Sequence, residues 1–447
     1  MKKVLFIAYQ FPPMGGSGVQ RSSKFVKYLR GYGWEPVVLT RSVGNMQLRD
    51  DSMLSDIPED TRIIRTRAFD LTELPGMLKY LGKFIARKLL IPDGERLWQI
   101  FAMKRALKYV NKGRINIIYT TSYPYSSHIL GLKLHKKITG KYPHIKWVAD
   151  FRDEWTNNPY LLDKPHYKRR MKIERRMEKE IIDTADMVIA NTPVMLENFV
   201  RADERLRSKF TVIPNGFDAD DFRPHSPIGR AAAADGGNTV SGKTAGSDAA
   251  EVGKGDRFTI VYTGAFYGRR KPDPFFAALK YAIDAGQIEE DKIIVKLIGN
   301  FKEGSLKEKI QSFGLEDTVT IMPYMAHNAC LAEVRSSDAL LLIEGNGPGA
   351  EAFHTGKLFE YMNSGKPIIA VIPQKGAAAM LIRETSTGLV SDPADIKSTA
   401  AIITIFYRAW TEGTIGTMYK PNIDEISKYE RKKLTGRLAE VFDLSCN

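Results

Sequence analysis

Lys357 and Glu360 stand three residues apart just behind a glycine-rich run, a spacing that puts both on one face of a helix. The run opens with Gly347-Pro348-Gly349, passes Glu351, Ala352 and His354, and reaches Thr355-Gly356-Lys357-Leu358. A helix is predicted over about 355–363, stopped by Gly365, with an apolar strand starting at Pro367. A glycine loop feeding a helix leaves backbone N–H groups unpaired where the helix dipole is positive, so the spot favours phosphate. Lys357 adds charge in the first turn, and a carboxylate at Glu360 can accept hydrogen bonds from a ribose hydroxyl pair. An ordinary loop, cap and helix of an α/β domain fits the same stretch equally well.

The elements that position these residues follow from the whole chain. Its 447 residues suggest two or three domains, and 43% apolar with 26% charged residues is ordinary for a globular protein. Cys330 and Cys446 are too few for a disulfide scaffold or a cysteine-based zinc site, and a reducing cytoplasm fits. The start, Met1 to Tyr9, resembles a signal sequence, but Pro12-Pro13 and Gly15-Gly16 cut the apolar run short. No run is long enough to span a bilayer. The net charge of +14 is uneven: residues 1–210 hold 39 Lys+Arg against 22 Asp+Glu, and residues 211–447 hold 27 against 30. The first half is therefore drawn to something acidic, with nucleic acid or an anionic membrane surface as candidates. Residues 77–114 carry ten of those cations among large apolar residues, and 77–91 reads as a basic amphipathic helix suited to an anionic bilayer. A domain helix with solvated lysines is the alternative.

Strands are expected at 4–9, 36–40, 115–120, 147–150, 187–191 and 211–213, then again at 258–262, 292–298, 318–321, 339–343, 368–371 and 387–390, with helices between most of them. That alternation predicts two doubly wound α/β units of roughly 200 residues, an N-terminal one over 1–213 and a C-terminal one over 257–425. A last helix is expected at about 427–442. Residues 229–256 are rich in Ala, Gly, Ser and Asp and read as a flexible insertion. Within it Gly237 to Thr244 spells a P-loop, without the strand and helix a P-loop needs. Ligands of doubly wound sheets bind at the carboxyl ends of the strands, where all the loops singled out here lie.

Several pieces together resemble a GT-B glycosyltransferase of the retaining family 4 (group 1). They are Gly15-Gly16-Ser17-Gly18 before the first helix, Val212 to Asp218, Thr263-Gly264 through Arg269-Arg270-Lys271, and Thr355 to Pro367. Phe11-Pro12-Pro13 and Asp150-Phe151-Arg152-Asp153 are similar to members that build bacterial surface polysaccharides. The resemblance covers the chain except 229–256. It implies two Rossmann-like domains facing across a cleft, and a final segment, 426–447, crossing back to the first. It implies that Lys271, with Arg270 beside it, neutralises a leaving diphosphate, helped by backbone N–H groups of Gly356, Lys357 and Leu358. Glu360 would hold the ribose, Gly299, Pro323 and Tyr324 would frame the base, and Gly16, Gly18 and Gly264 would bring backbone close to the donor. His354 would be a donor contact, and His128 would lie on the acceptor side. Fixed cations make a metal unnecessary, so no metal and no cofactor beyond the nucleotide-sugar co-substrate is expected. Asp218-Ala219-Asp220 reads as turn chemistry.

The chain departs from the family pattern in three places. The first of the usual two glutamates falls at Ala352, with Glu351 one residue away. Ala265 replaces an arginine after the loop glycine, leaving Arg269 or Arg270 to substitute. Arg152 stands where relatives often carry histidine; it could clamp an acceptor phosphate, while Asp150 or Asp153 orients the acceptor hydroxyl or forms a structural ion pair. The resulting expectation is sugar transfer from a nucleoside diphosphate sugar to a glycan or lipid-linked acceptor, by a cytoplasmic protein on the inner face of the membrane, with no nucleic-acid partner. A sugar-nucleotide epimerase and a non-catalytic basic nucleic-acid or membrane binder remain as alternatives.

Overall fold

A computed structural model describes residues 1–44, 49–68, 90–113, 115–163, 168–222 and 256–446, together with 76, 80–82 and 84. Most of the amphipathic stretch at 77–91, and the insertion at 229–256 apart from Asp256, lie outside the described residues.

The first sheet holds β1 (Lys2–Ile7), β2 (Trp34–Arg41), β3 (Arg62–Thr66), β4 (Ile117–Ser122), β5 (Lys146–Phe151), β6 (Met187–Ala190) and β7 (Phe210–Val212). The second holds β8 (Phe258–Thr263), β9 (Ile293–Ile298), β10 (Val319–Met322), β11 (Ala339–Ile343), β12 (Ile368–Val371) and β13 (Gly388–Ser391). Strand orders are β3-β2-β1-β4-β5-β6-β7 and β10-β9-β8-β11-β12-β13, and every pairing is parallel. Both orders reverse direction beside the first strand of the unit, the crevice where doubly wound sheets take ligands. Central strands are buried on both faces because helices cover both, which is why β11 reads as an unbroken apolar run and β1 as one after its two lysines, while β4 buries hydroxyl residues at its carboxyl end.

Five helices matter for the site: α1 (Ser17–Tyr28), α2 (Trp98–Asn111), α3 (Lys168–Thr184), α4 (Gly356–Asn363) and α5 (Arg431–Cys446). Helix α2 buries Trp98, Ala102, Ala106 and Val110 in the first domain, so this part of the basic 77–114 stretch is a core helix with a solvated face. Helix α5 begins at Arg431 rather than near 427, because Phe217 and Tyr429–Arg431 exchange backbone hydrogen bonds that interrupt the helix. It leaves the second domain and packs Leu434, Leu438 and Phe442 against Val4, Phe6 and Phe25 of the first.

Candidate active site

A cleft of about 840 Å³ opens between the carboxyl ends of the two sheets. Its C-domain wall is the turn after β8, the turn after β9 and the start of α4. Thr355 is the N-cap of α4 and makes no side-chain cap, and neither the Gly356 nor the Lys357 N–H has a backbone acceptor among the described residues. The Leu358 N–H is already taken by the Thr355 carbonyl at 3.2 Å, which corrects its expected role. The Lys357 ammonium is buried without a hydrogen bond, 4.0 Å above the Tyr262 ring. Burial, reinforced by Arg270, pulls its pKa down to about 7. Arg270 also lines the cleft, held by Glu344 at 2.6 and 3.1 Å. Gly264 makes room for this cation, since a Cβ there would lie 2.8 Å from Lys357 Nζ, and one at Gly299 would lie 1.8 Å from the Gly264 carbonyl.

Helix α4 next presents Glu360. Its Oε1 accepts from Gln20 Nε2 of α1 at 2.9 Å and lies 2.8 Å from His327 Nε2. Burial opposes the charge of both members of the Glu360–His327 pair, yet their mutual attraction wins: the carboxyl is held below its ordinary range and the imidazole above its own. Tyr324 lines the cleft against the Gly15-Gly16 turn, where a Cβ at Gly15 would lie 2.8 Å from its hydroxyl. His354 is buried, and desolvation lowers its pKa to about 4, so it is a neutral wall residue.

The N-domain wall brings Gly16, Gly18, Arg152 and Asp153 together. Arg152 donates to the Gly18 carbonyl and bridges toward Asp153 at 3.6 Å, so it braces the glycine turn. Other expected residues fall elsewhere. Asp150 is 0% exposed and outside the cleft wall, bound bidentately by Arg21 at 2.8 Å, while Arg21 also donates to the Ile213 and Pro214 carbonyls. It is the structural ion pair, not a group facing an acceptor. His128 is likewise buried, its Nδ1 2.8 Å from Thr120 Oγ1, and burial drives its pKa to about 3. It contacts no acceptor path. Lys271 is exposed and does not line the cleft, whereas Lys357 and Arg270 do. Arg269 spans the domains to pair with Asp163, and Glu351 is exposed off the cleft wall.

Sequence reasoning passed over Gln20, His327, Glu344 and Arg431. His327 opens a helix just after Tyr324, which is the one local signal among them. Asp56, Asp218 and Asp221 cluster closely enough for a metal, but the Lys24 ammonium already sits among them, 2.8 Å from Asp56 and 2.9 Å from Asp218. The Asp218-Ala219-Asp220 pattern thus anchors the linker to α1, with Lys27 and Tyr28 as further partners.

Two Rossmann-like sheets facing across a cleft with buried cations at a helix start define the GT-B class of transferases. Two family models match: Glycosyltransferase Family 4 over residues 18–221 and Glycosyl transferases group 1 over residues 247–412. The chain belongs to the glycosyltransferase family 4, group 1 proteins. It is 24% identical over 299 residues to mannosylfructose-phosphate synthase of Agrobacterium fabrum, a match covering 65% of this chain and 61% of that protein's length. Among solved structures it is similar to sucrose-phosphate synthase of Thermosynechococcus elongatus, with TM-score 0.63, 17% identity and 99% of each chain covered. It is also similar to WaaG, a glycosyltransferase involved in lipopolysaccharide biosynthesis, with TM-score 0.56, 13% identity, and 98% of this chain and 99% of that one covered. At these identities the structural likeness speaks for the fold alone.

Proposed function

We propose that the protein transfers a sugar, with retention at the anomeric carbon, from a nucleoside diphosphate sugar to a lipid-linked or membrane-associated glycan in surface polysaccharide synthesis. The observation that carries this reading is the uncompensated Lys357 ammonium, beside Arg270, at the free N–H groups of α4. Breaking the anomeric bond puts negative charge on the departing diphosphate, and preorganised cations in a desolvated cleft stabilise that charge where it develops. These fixed cations do the work a divalent metal does in other transferases. Glu360 accepts from the ribose hydroxyls, and Asp153, on the opposite wall, orients the acceptor hydroxyl.

The acceptor class rests on the first domain. Its surplus of positive charge accompanies an apolar groove lined by Leu90, Ile91, Ile100, Met103 and Ile173, with Arg96 and Lys133 at its side. Ile100 and Ile173 are exposed, and no described helix is long and apolar enough to cross a membrane. A basic surface with exposed aliphatic residues suits the face of an anionic bilayer. The test pairs a thermal-shift panel of nucleoside diphosphates with sedimentation on vesicles. One nucleotide should raise the midpoint by mass action, and anionic vesicles should retain the protein at low salt only. No shift with any nucleotide would sink the transferase reading; equal retention on neutral vesicles would sink the anionic-surface part.

A further inference from the structure

Arg431 is the first residue of α5, yet its side chain belongs to the cleft. It is 2% exposed and lines the cleft wall, with its backbone N–H fixed to the Phe217 carbonyl at 2.7 Å. Among the described residues its guanidinium makes no hydrogen bond and no ion pair, and Nη1 is fully buried without a partner. Arg21 shows what a structural arginine looks like here: equally buried, it donates to both Asp150 oxygens and to two carbonyls.

The carboxylates that act on Arg431 are already committed. Asp218 and Asp221 face Lys24, and Glu360 faces His327. Arg21 adds repulsion, and burial followed by that repulsion lowers the Arg431 pKa to about 9. A desolvated cation with no partner is costly to the fold, so its presence needs an anion that the polypeptide does not supply. Glu360, whose charge Arg431 senses, lies one helical turn beyond the N–H groups of Gly356 and Lys357. A nucleotide lying along α4, phosphates at its start and ribose at Glu360, therefore passes Arg431.

We infer that Arg431 is a third phosphate-binding residue, through which the domain-crossing helix holds an anionic oxygen of the bound nucleoside diphosphate. The inference rests on the nucleotide-sugar reading above. It gives α5 a role in the site as well as in the core: the diphosphate is gripped by Lys357 and Arg270 from the C-terminal domain, and by Arg431 from a helix packed on the N-terminal one.

Full-length Arg431→Met and Arg431→Lys test this against wild type, using calorimetric affinity for the nucleoside diphosphate that wild type binds, affinity for the matching nucleoside, and the midpoint of the free protein. Arg431→Met should weaken the diphosphate roughly tenfold or more, leave the nucleoside within about twofold, and not lower the free midpoint, because an unpaired buried charge has been removed. Arg431→Lys should recover part of the affinity. Unchanged diphosphate affinity in Arg431→Met would overturn the role of Arg431 alone. A lower midpoint with parallel losses for nucleoside and diphosphate would overturn it too, marking a structural residue. Wild type binding no nucleoside diphosphate would instead overturn the underlying reading.

Discussion

Lys357 is a lysine whose pKa the fold brings down to neutral pH. Burial and Arg270 bring its pKa from 10.5 to about 7. Below that value both folded and unfolded chains carry the proton and the burial penalty is complete; between about 7 and 10.5 the unfolded chain binds the extra proton, so the free protein gains stability as pH rises through that window. A diphosphate beside the ammonium reverses the balance and raises the pKa, so binding takes up a proton. Affinity for the nucleoside diphosphate should therefore fall as pH climbs from about 7 to about 9, by up to roughly tenfold per unit. Calorimetry in buffers of different ionisation enthalpy reads the proton uptake directly. Lys357→Met should bind at least about tenfold more weakly and lose this slope; a flat wild-type profile would remove Lys357 from the phosphate site. The glycine run made this residue visible in the sequence, but its rank among the cations was not. Arg269, Arg270 and Lys271 are equivalent as letters, and only the fold spends one on Asp163, ties one to Glu344 and turns the last to solvent. Asp150 is the same lesson: its partner Arg21 is 129 residues away, so the strand-end acid could not be told from a catalytic one.

Strands and loops were the most legible elements, since a parallel strand buried on both faces must be an apolar run. β3 went unread because Arg62-Ile63-Ile64-Arg65-Thr66 lies at a sheet edge with charges among its few apolar residues. The helices Glu303–Ser312 and Ala377–Thr385 were also unread; the first exposes most of its polar surface, and the second carries an alanine run with little periodic contrast. The turn after β9 shows how an element edge sets the site. Gly299 meets the Gly264 carbonyl so closely that any Cβ must push the β8 and β9 turns apart, and Gly264 in turn bounds the Lys357 pocket. Gly299→Ala should cost about 1–3 kcal/mol in urea unfolding and weaken nucleotide binding together with it. Gly304→Ala is the control: it faces open space on a helix, so stability should hold or rise by up to about 1 kcal/mol. Equal behaviour of the two variants would mean the turns are looser than their geometry implies.

At the scale of the molecule, the domains are joined by contacts that also build the cleft: Gln20 with Glu360, Arg269 with Asp163, and the Asp50 carboxylate with the His327 N–H. A further tie is apolar. Phe442 of α5 is 0% exposed, with its ring 5.1 Å from Trp34 and 5.8 Å from Tyr119, inside the core of a domain whose last strand ends some 230 residues earlier in the chain. The first domain is therefore incomplete until the last segment has been made. Phe442→Ala should destabilise that domain by about 3–5 kcal/mol, as removal of a buried aromatic ring does. Trp34, Trp98, Trp147 and Trp155 all lie in it, with Trp410 alone in the second, so tryptophan fluorescence during urea unfolding reports chiefly on the affected half. A midpoint shift within about 0.5 kcal/mol would place α5 outside the core as a surface appendage. A large shift would make the crossing helix a structural part of the first domain, so that a change in α5 reaches both walls of the cleft at once.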